Sequence, residues 1–281
     1  MTIYKHPADI FSALLAQRNA GISTGFVPTM GALHNGHLAL VSNARNENQR
    51  VICSIFVNPT QFNDPKDFDK YPSTIENDIF VLEQAGCDVL FMPSVDDIYP
   101  EGIKPARHYN LGTLENMLEG KYRPGHFQGV CQVVNRLLDI VLPHKLYLGQ
   151  KDLQQCLVLK KMVALESIKT EIVICPTQRE PDGLAMSSRN LRLNETDRKK
   201  APAIYKALLS IKNTILTGDT EALKKNAAGL LMNEGFKVDY VEIANAHTLE
   251  IVRHWDGKTP LAALAAAYLS EVRLIDNIIL N

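Results

Sequence analysis

The sequence has no glycine-rich phosphate loop: neither GxGxxG nor GxxxxGK[ST] occurs, so a bound nucleotide must be held by other means. It also lacks a GxSxG elbow and a nucleophilic-cysteine signature, which argues against a covalent acyl-enzyme. Cysteine is scarce. The five, at positions 53, 87, 131, 156 and 175, are odd in number, far apart and mostly set in apolar runs such as VICSIF and EIVICP. They read as buried, reduced thiols, with neither a disulfide framework nor a CxxC zinc site. Neither sign of charge is in excess, since 30 Lys and Arg face 31 Asp and Glu, and bulk charge therefore predicts no nucleic-acid and no membrane partner. The N-terminal MTIYKHPADIFSALLAQ has no apolar h-region, which excludes a signal peptide, and the longest greasy stretch, PLAALAAAYLS, is too short to span a bilayer. The expected address is the cytoplasm.

What is present is a globular composition, 46% hydrophobic and 22% charged over 281 residues, enough for one large or two modest domains. Over roughly the first 175 residues, short β-branched runs (TGFVPT, RVICSIFV, CDVLFMP, KLYLGQ, EIVICP) alternate with segments of helical period (LALVSNARNEN, STIENDIFVLEQAG, GVCQVVNRLLDIVL, LQQCLVLKKMVALE). That alternation predicts βαβ units around a parallel sheet. Ser73 with Glu76 three residues on reads as a capping box, and Gly86 stands where a C-cap belongs. Further on, Asn194 opens a long helix, TEALKKNAAGLLMNEG makes another, and VDYVEIAN with AALAAAYLSEVRLIDNI suggests a small sheet. The expected fold is α/β, a parallel sheet with flanking helices over residues 1–176, followed by a smaller α+β domain over residues 177–281. Ligands of such sheets bind at the carboxyl ends of the strands.

Three stretches at such ends carry chemistry. In PTMGALHNGH, His34 and His37 follow the first of these strands three residues apart, on one face of the first turn of a helix. Free N–H groups and the positive end of the dipole favour phosphate there, and imidazoles donate hydrogen bonds that strengthen as charge builds in a transition state. Gly36 between them leaves room for a base or a phosphate against the backbone. On spacing alone, a helix cap with two surface histidines and a two-ligand metal site stay open. GLAMSSRN offers Ser187, Ser188 and Arg189 at the domain junction, where a loop can close over a triphosphate; by itself the triplet fits a solvated turn equally well. In YLGQKDLQQC, Gly149 ends a strand, Lys151 suits phosphate, and Asp152 suits a cap or ribose hydroxyls. Gln154 and Gln155 read as helix surface or as amides facing hydroxyl and carboxylate groups.

Taken together, PTMGALHNGH, FVNPTQF, YP, EGKYRPGHFQGV, YLGQKDLQQ, MSSRN and the terminal VRLIDNI resemble the pantothenate synthetase family, along nearly the whole chain. The resemblance implies a Rossmann-like member of the HxGH nucleotidylyltransferases. In these, (R)-pantoate attacks the ATP α-phosphate to give pantoyl adenylate and pyrophosphate, and β-alanine then displaces AMP. It implies that His34, His37, Lys151, Ser187, Ser188 and Arg189 are catalytic and hold the triphosphate. The nucleotide would also meet Pro28, Thr29, Met30, Gly36, Gly149, Gln150, Asp152 and Met186, and pantoate would meet Met30, Gln61 and Gln155. ATP should bring Mg²⁺, largely through phosphate and water. Asn77 replaces one member of an acidic pair common in the family, so no direct protein ligand is expected, Asp78 acting at most through water. A homodimer is also implied. Arg123 and His126, in GKYRPGHFQGV, read as either anion contacts or a structural turn around Pro124 and Gly125, with structure the preferred reading. A related adenylyltransferase acting on a phosphate acceptor is disfavoured by the paired glutamines, and a silent nucleotide-binding protein by the intact histidines and serine loop.

Overall fold

A computed structural model describes residues 1–62, 68–103 and 107–281. Six strands, β1 (Thr2–Tyr4), β2 (Thr24–Thr29), β3 (Arg50–Ile55), β4 (Val89–Phe91), β5 (Lys145–Gly149) and β6 (Glu171–Cys175), form a sheet of order β1-β4-β3-β2-β5-β6. Every pairing in it is parallel. The runs TGFVPT and RVICSI are buried almost without interruption, as strands covered by helices on both faces must be. β1 has only three residues, too few for any period, and the sequence pattern does not reveal it. Strand order reverses between β2 and β5, which opens a crevice at their carboxyl ends.

The helices Asn35–Glu47, Ile75–Gln84, His126–Val141 and Leu153–Leu165 lie where the apolar spacing predicts. The expected Ser73–Glu76 capping box does not form. The helix begins one residue later, behind Thr74, whose hydroxyl bonds to Asp78 instead. Gly86 does close this helix, with φ +76 and its N–H on the Glu83 carbonyl. Asn194 caps as expected, accepting from the Asp197 N–H, but the long helix is two: Glu195–Lys200 and Ala203–Thr214. Pro202, lacking an N–H, sits at the break.

After these come β7 (Gly218–Asp219), the helix Glu221–Asn233, β8 (Lys237–Asn245), β9 (His254–Trp255), β10 (Leu261–Leu269) and β11 (Val272–Ile279). β11, β10 and β8 make an antiparallel sheet; β7 and β9 pair separately. The greasy PLAALAAAYLS is largely β10, the central strand of that sheet, and helices 203–214 and 221–233 pack against it. Ala244, Ala262 and Leu264 also enter the main core beside Phe127 and Leu153, so the two sheets share apolar packing. All five cysteines are free and buried. Among the described residues no helix is long and apolar enough to cross a membrane.

Candidate active site

The loop leaving β2 is held from both sides. Thr29 donates its hydroxyl to the Ser54 carbonyl (2.7 Å) and accepts from the Gly31 N–H (3.2 Å). Ala32 follows in the left-handed region, φ 48, a conformation that costs a non-glycine residue about 1 kcal/mol or more unless its surroundings hold it. Asp78 does so. Its carboxylate, fully buried, accepts from Ala32 N (2.9 Å), Leu33 N (2.8 Å) and the Thr74 hydroxyl (2.9 Å). Both its oxygens are engaged by the loop and by Thr74, and Asp78, expected to act on a metal at most through water, does not line the cleft.

That loop delivers His34 as the N-cap of helix Asn35–Glu47, and so just outside its first turn. Nδ1 of His34 accepts from Gly36 N (3.1 Å), and Nδ1 of His37 accepts from His34 N (3.4 Å). A backbone N–H can only donate, so both rings carry their proton on Nε2 when neutral. Burial, reinforced by the charge of Lys151, pulls His34 down to about 4, and burial with the neighbouring His34 pulls His37 down to about 3. The ring centroids lie 4.1 Å apart. The pair thus presents two neutral Nε2–H donors at a helix N-terminus. Gly36 lines the cleft and also leaves room for a neighbour: a Cβ there would stand 2.8 Å from the His34 ring.

Facing this helix is the serine loop. Ser188 donates to the Ala32 carbonyl (3.0 Å), joining the two loops; Ser187 accepts from Arg189 N (3.3 Å) and starts the 3₁₀ turn Ser188–Arg192. The Arg189 guanidinium lies 5.8 Å from the Tyr71 ring centroid. At the end of β5, Lys151 Nζ is 3.6 Å from Asp152 Oδ2. The 149–152 loop is clamped by Asn277 of β11, which is buried and donates to the carbonyls of Gln150 (2.9 Å) and Lys151 (2.8 Å). Gln150 turns its side chain toward Asn277 (3.3 Å) and, unlike Gly149 and Lys151, does not line the cleft. Beside Asn277, Asp276 is paired bidentately with Arg179 (2.6 and 3.0 Å).

Gln61 belongs to the same lining. Its amide donates to Met30 Sδ (3.0 Å) and accepts from Asn58 (3.3 Å), itself buried and bonded to Gly129 O and Tyr99. His126 also lines the cleft, its Nδ1 on the Gln61 carbonyl (2.8 Å) and its pKa pulled down to about 3 by burial. Gln155 faces the cleft. Gln154, one residue earlier, is buried and spans Leu114 O, Met117 O and Glu119 N, so it is neither surface nor site.

The cleft is a cavity of about 230 Å³, and every residue of the sequence-predicted site lines it except Gln150 and Asp78. Its lining combines imidazole, hydroxyl, ammonium and guanidinium donors with the Gln61 and Gln155 amides and the apolar Val130, Val133, Val134 and Leu137. Sequence reasoning missed Asn277 and Thr177. Thr177 lines the cleft, and its buried hydroxyl has no hydrogen-bond partner among the described residues. Nothing local in the sequence marks either.

The family model for pantoate-beta-alanine ligase matches residues 2–279. The pantothenate synthetase of Acetivibrio thermocellus is 45% identical over 284 residues, covering 100% of both chains, and that of Cytophaga hutchinsonii is 45% identical over 270 residues, 95% of each. Among solved structures, pantothenate synthetase from Thermus thermophilus superposes with a TM-score of 0.92 at 41% identity, covering 100% of this chain and 99% of that one. The Francisella tularensis pantoate-beta-alanine ligase, complexed with beta-gamma ATP and beta-alanine, gives 0.80 at 41% identity, covering 99% and 97%.

Proposed function

Because the chain belongs to the pantoate-beta-alanine ligase family, we propose that this cleft joins pantoate to β-alanine in two steps driven by ATP. The observation that carries the reading is the composition of the cavity wall: a set of phosphate donors together with two cleft-facing glutamine amides and an apolar surface. A triphosphate suits the donors, and a hydroxy acid with geminal methyls suits the amides and the apolar surface.

In the first step a pantoate carboxylate oxygen attacks the α-phosphorus, the bond to the bridging oxygen of the β-phosphate breaks, and pyrophosphate leaves. Such a displacement needs alignment and charge neutralisation, which suits the groups present. The Nε2–H donors of His34 and His37, with Lys151, Ser187, Ser188 and Arg189, meet the charge on the phosphates; one such donor is typically worth about 100-fold or more in rate. Gly149 and Asp152 serve the ribose, and Pro28, Thr29, Met30, Gly36 and Met186 pack around the nucleotide, while Gln61 and Gln155 hold pantoate. In the second step the β-alanine amine attacks the acyl carbon, the carbon–oxygen bond to AMP breaks, and the amine gives up a proton as the amide forms.

Mg²⁺ enters this reading as part of the nucleotide substrate. Among the described residues no three His, Cys, Asp or Glu side chains converge as a metal site, and Asp78 is engaged by the loop, so no step is assigned to a protein-bound ion. The chain from residue 177 onward, which carries the serine loop, is read as the part that closes over the nucleotide. A cytoplasmic homodimer is the assembly that the family suggests.

The test is pyrophosphate release from ATP and Mg²⁺. Pantoate alone should give a stoichiometric burst, and AMP should turn over only once β-alanine is added. Absence of a pantoate-dependent burst from folded protein would overturn the acceptor assignment.

A further inference from the structure

Between β6 and the serines the chain folds into a tight hairpin. Met186 N donates to the Gln178 carbonyl (3.0 Å), Arg179 and Ala185 form an antiparallel bridge, and Glu180 N donates to the Leu184 carbonyl (2.8 Å). Gly183 turns the hairpin at φ +93, and a Cβ there would stand 2.5 Å from the Tyr205 ring. Gln178 and Met186 line the cleft; Arg179, on the same hairpin, does not. Its guanidinium instead ties the hairpin to its surroundings. Nη1 donates to the Gly183 carbonyl (3.1 Å) and to Asp276 Oδ2 (2.6 Å), and Nη2 donates to Asp276 Oδ1 (3.0 Å) and to the Asn277 carbonyl (3.3 Å). The same group lies 3.8 Å from the ring centroid of Tyr205, on the helix Ala203–Thr214. Asp276 is fully buried and also accepts from Asn277 N (2.8 Å), and the Asn277 side chain holds the carbonyls of Gln150 and Lys151. A buried ion pair is weak evidence for stability, because desolvation offsets its attraction. A rigid, planar fork of donors is well suited to setting distances.

We infer that Arg179 is a positioning residue for the first chemical step: by seating the serine hairpin on β11, it fixes how far Ser187, Ser188 and Arg189 stand from Lys151. This role rests on the ligase reading and adds to it the part that sets the two phosphate-facing loops against each other. One cation touches both the hairpin that ends in the serines and the strand whose next side chain braces the lysine loop. Donors in a displacement at phosphorus must meet the charge where it builds, so their spacing enters the rate directly. Lysine at this position would keep a charge opposite Asp276, but as a point donor it could not hold Gly183, Asp276 and Asn277 in one plane while stacking on Tyr205. Gln61 and Gln155 are carried by the turn Pro59–Gln61 and the helix Leu153–Leu165, not by this hairpin, so pantoate binding should be spared.

The experiment measures the rate of the pantoate-dependent pyrophosphate burst, per folded molecule, for Arg179→Lys and Arg179→Ala in the full chain, with ATP and pantoate varied separately. Arg179→Lys should slow the burst about tenfold and Arg179→Ala about 100-fold, the cost of moving reacting groups by about 1 Å. The KM for pantoate should stay within about twofold of wild type, as when only transition-state contacts are lost. Methylguanidinium, filling the space vacated in Arg179→Ala, should restore about tenfold of the rate, and methylammonium at equal concentration none. A burst at the wild-type rate in Arg179→Lys, whether or not the Ala variant folds, would overturn the inference and leave the pair as compensation for a buried carboxylate. So would a slowed burst matched by an equal rise in the KM for pantoate, or the same response to both added cations. A wild-type chain that gives no burst overturns the ligase reading, whereas a normal wild-type burst beside an unaffected Lys variant overturns this inference alone.

Discussion

Asp78→Asn separates the loop-holding role of this carboxylate from the metal role that its position in the sequence suggests. The substitution keeps the shape and removes the charge. In one orientation the amide oxygen stays on Leu33 N and Thr74, and the new NH₂ then points at Ala32 N–H, donor against donor; in the other it points at Leu33 N–H. Either way one buried backbone N–H loses its acceptor, and the remaining bonds lose charge assistance. Losses of this kind come to about 2–3 kcal/mol, and for a chain of this size about 2 °C of Tm per kcal/mol gives a fall of ~5 °C. The functional effect should be larger. Ala32 in its left-handed conformation and the Ser188 bond to its carbonyl depend on the same loop, and displacing catalytic groups by about 1 Å costs about 100-fold. The assay is thermal unfolding alongside single-turnover pyrophosphate release. Unchanged Tm and burst rate would refute the argument, and recovery of a slowed burst by raising Mg²⁺ tenfold would restore the metal reading.

Gly36→Ala puts a Cβ 2.8 Å from the His34 ring, so adenylate formation should drop about 100-fold with Tm unchanged; a normal burst would mean that the ring position does not matter. Asn277→Ala frees the Gln150 and Lys151 carbonyls, which should lower Tm by ~4 °C and raise the KM for ATP while sparing that for pantoate. For pH, the depressed pKa values of His34 (about 4), His37 (about 3) and His126 (about 3) mean that the unfolded chain takes up protons near 6.5, before the folded one does. Stability in the absence of ligand should therefore fall as pH drops from about 6.5 toward 4, with nearly three protons bound on unfolding. A urea midpoint that is flat from pH 7 to 5 would contradict neutral burial of these rings.

How far the sequence can be read depends on how near a residue's partner lies along the chain. The parallel strands are legible because double-sided burial writes them as apolar runs, and the histidine, lysine and serine loops because each carries its chemistry in consecutive residues. Asp78, Arg123 and Asn277 act on partners 46, 62 and 126 positions away, and no local pattern announces that. Gln154 and Gln155 show the limit within two residues: one helical step of about 100° puts the first into the core and the second into the cleft. The capping box failed for a similar reason, since Ser73 and Thr74 are equally plausible caps and Asp78, engaged by the distant loop, drew the hydroxyl of the second. At Gly36 the free space was foreseeable, but the closeness of a side chain two residues back was not.

The clamp from Asn277 has a consequence for the order in which the molecule is made. Lys151 leaves the ribosome 126 residues ahead of the side chain that fixes its carbonyl. At about 5–20 residues per second, the first strands, with the histidine helix among them, have several seconds or more to assemble while the nucleotide loop still lacks its brace. A nascent chain can thus bury its parallel sheet early, yet it gains competence for ATP only when β11 arrives.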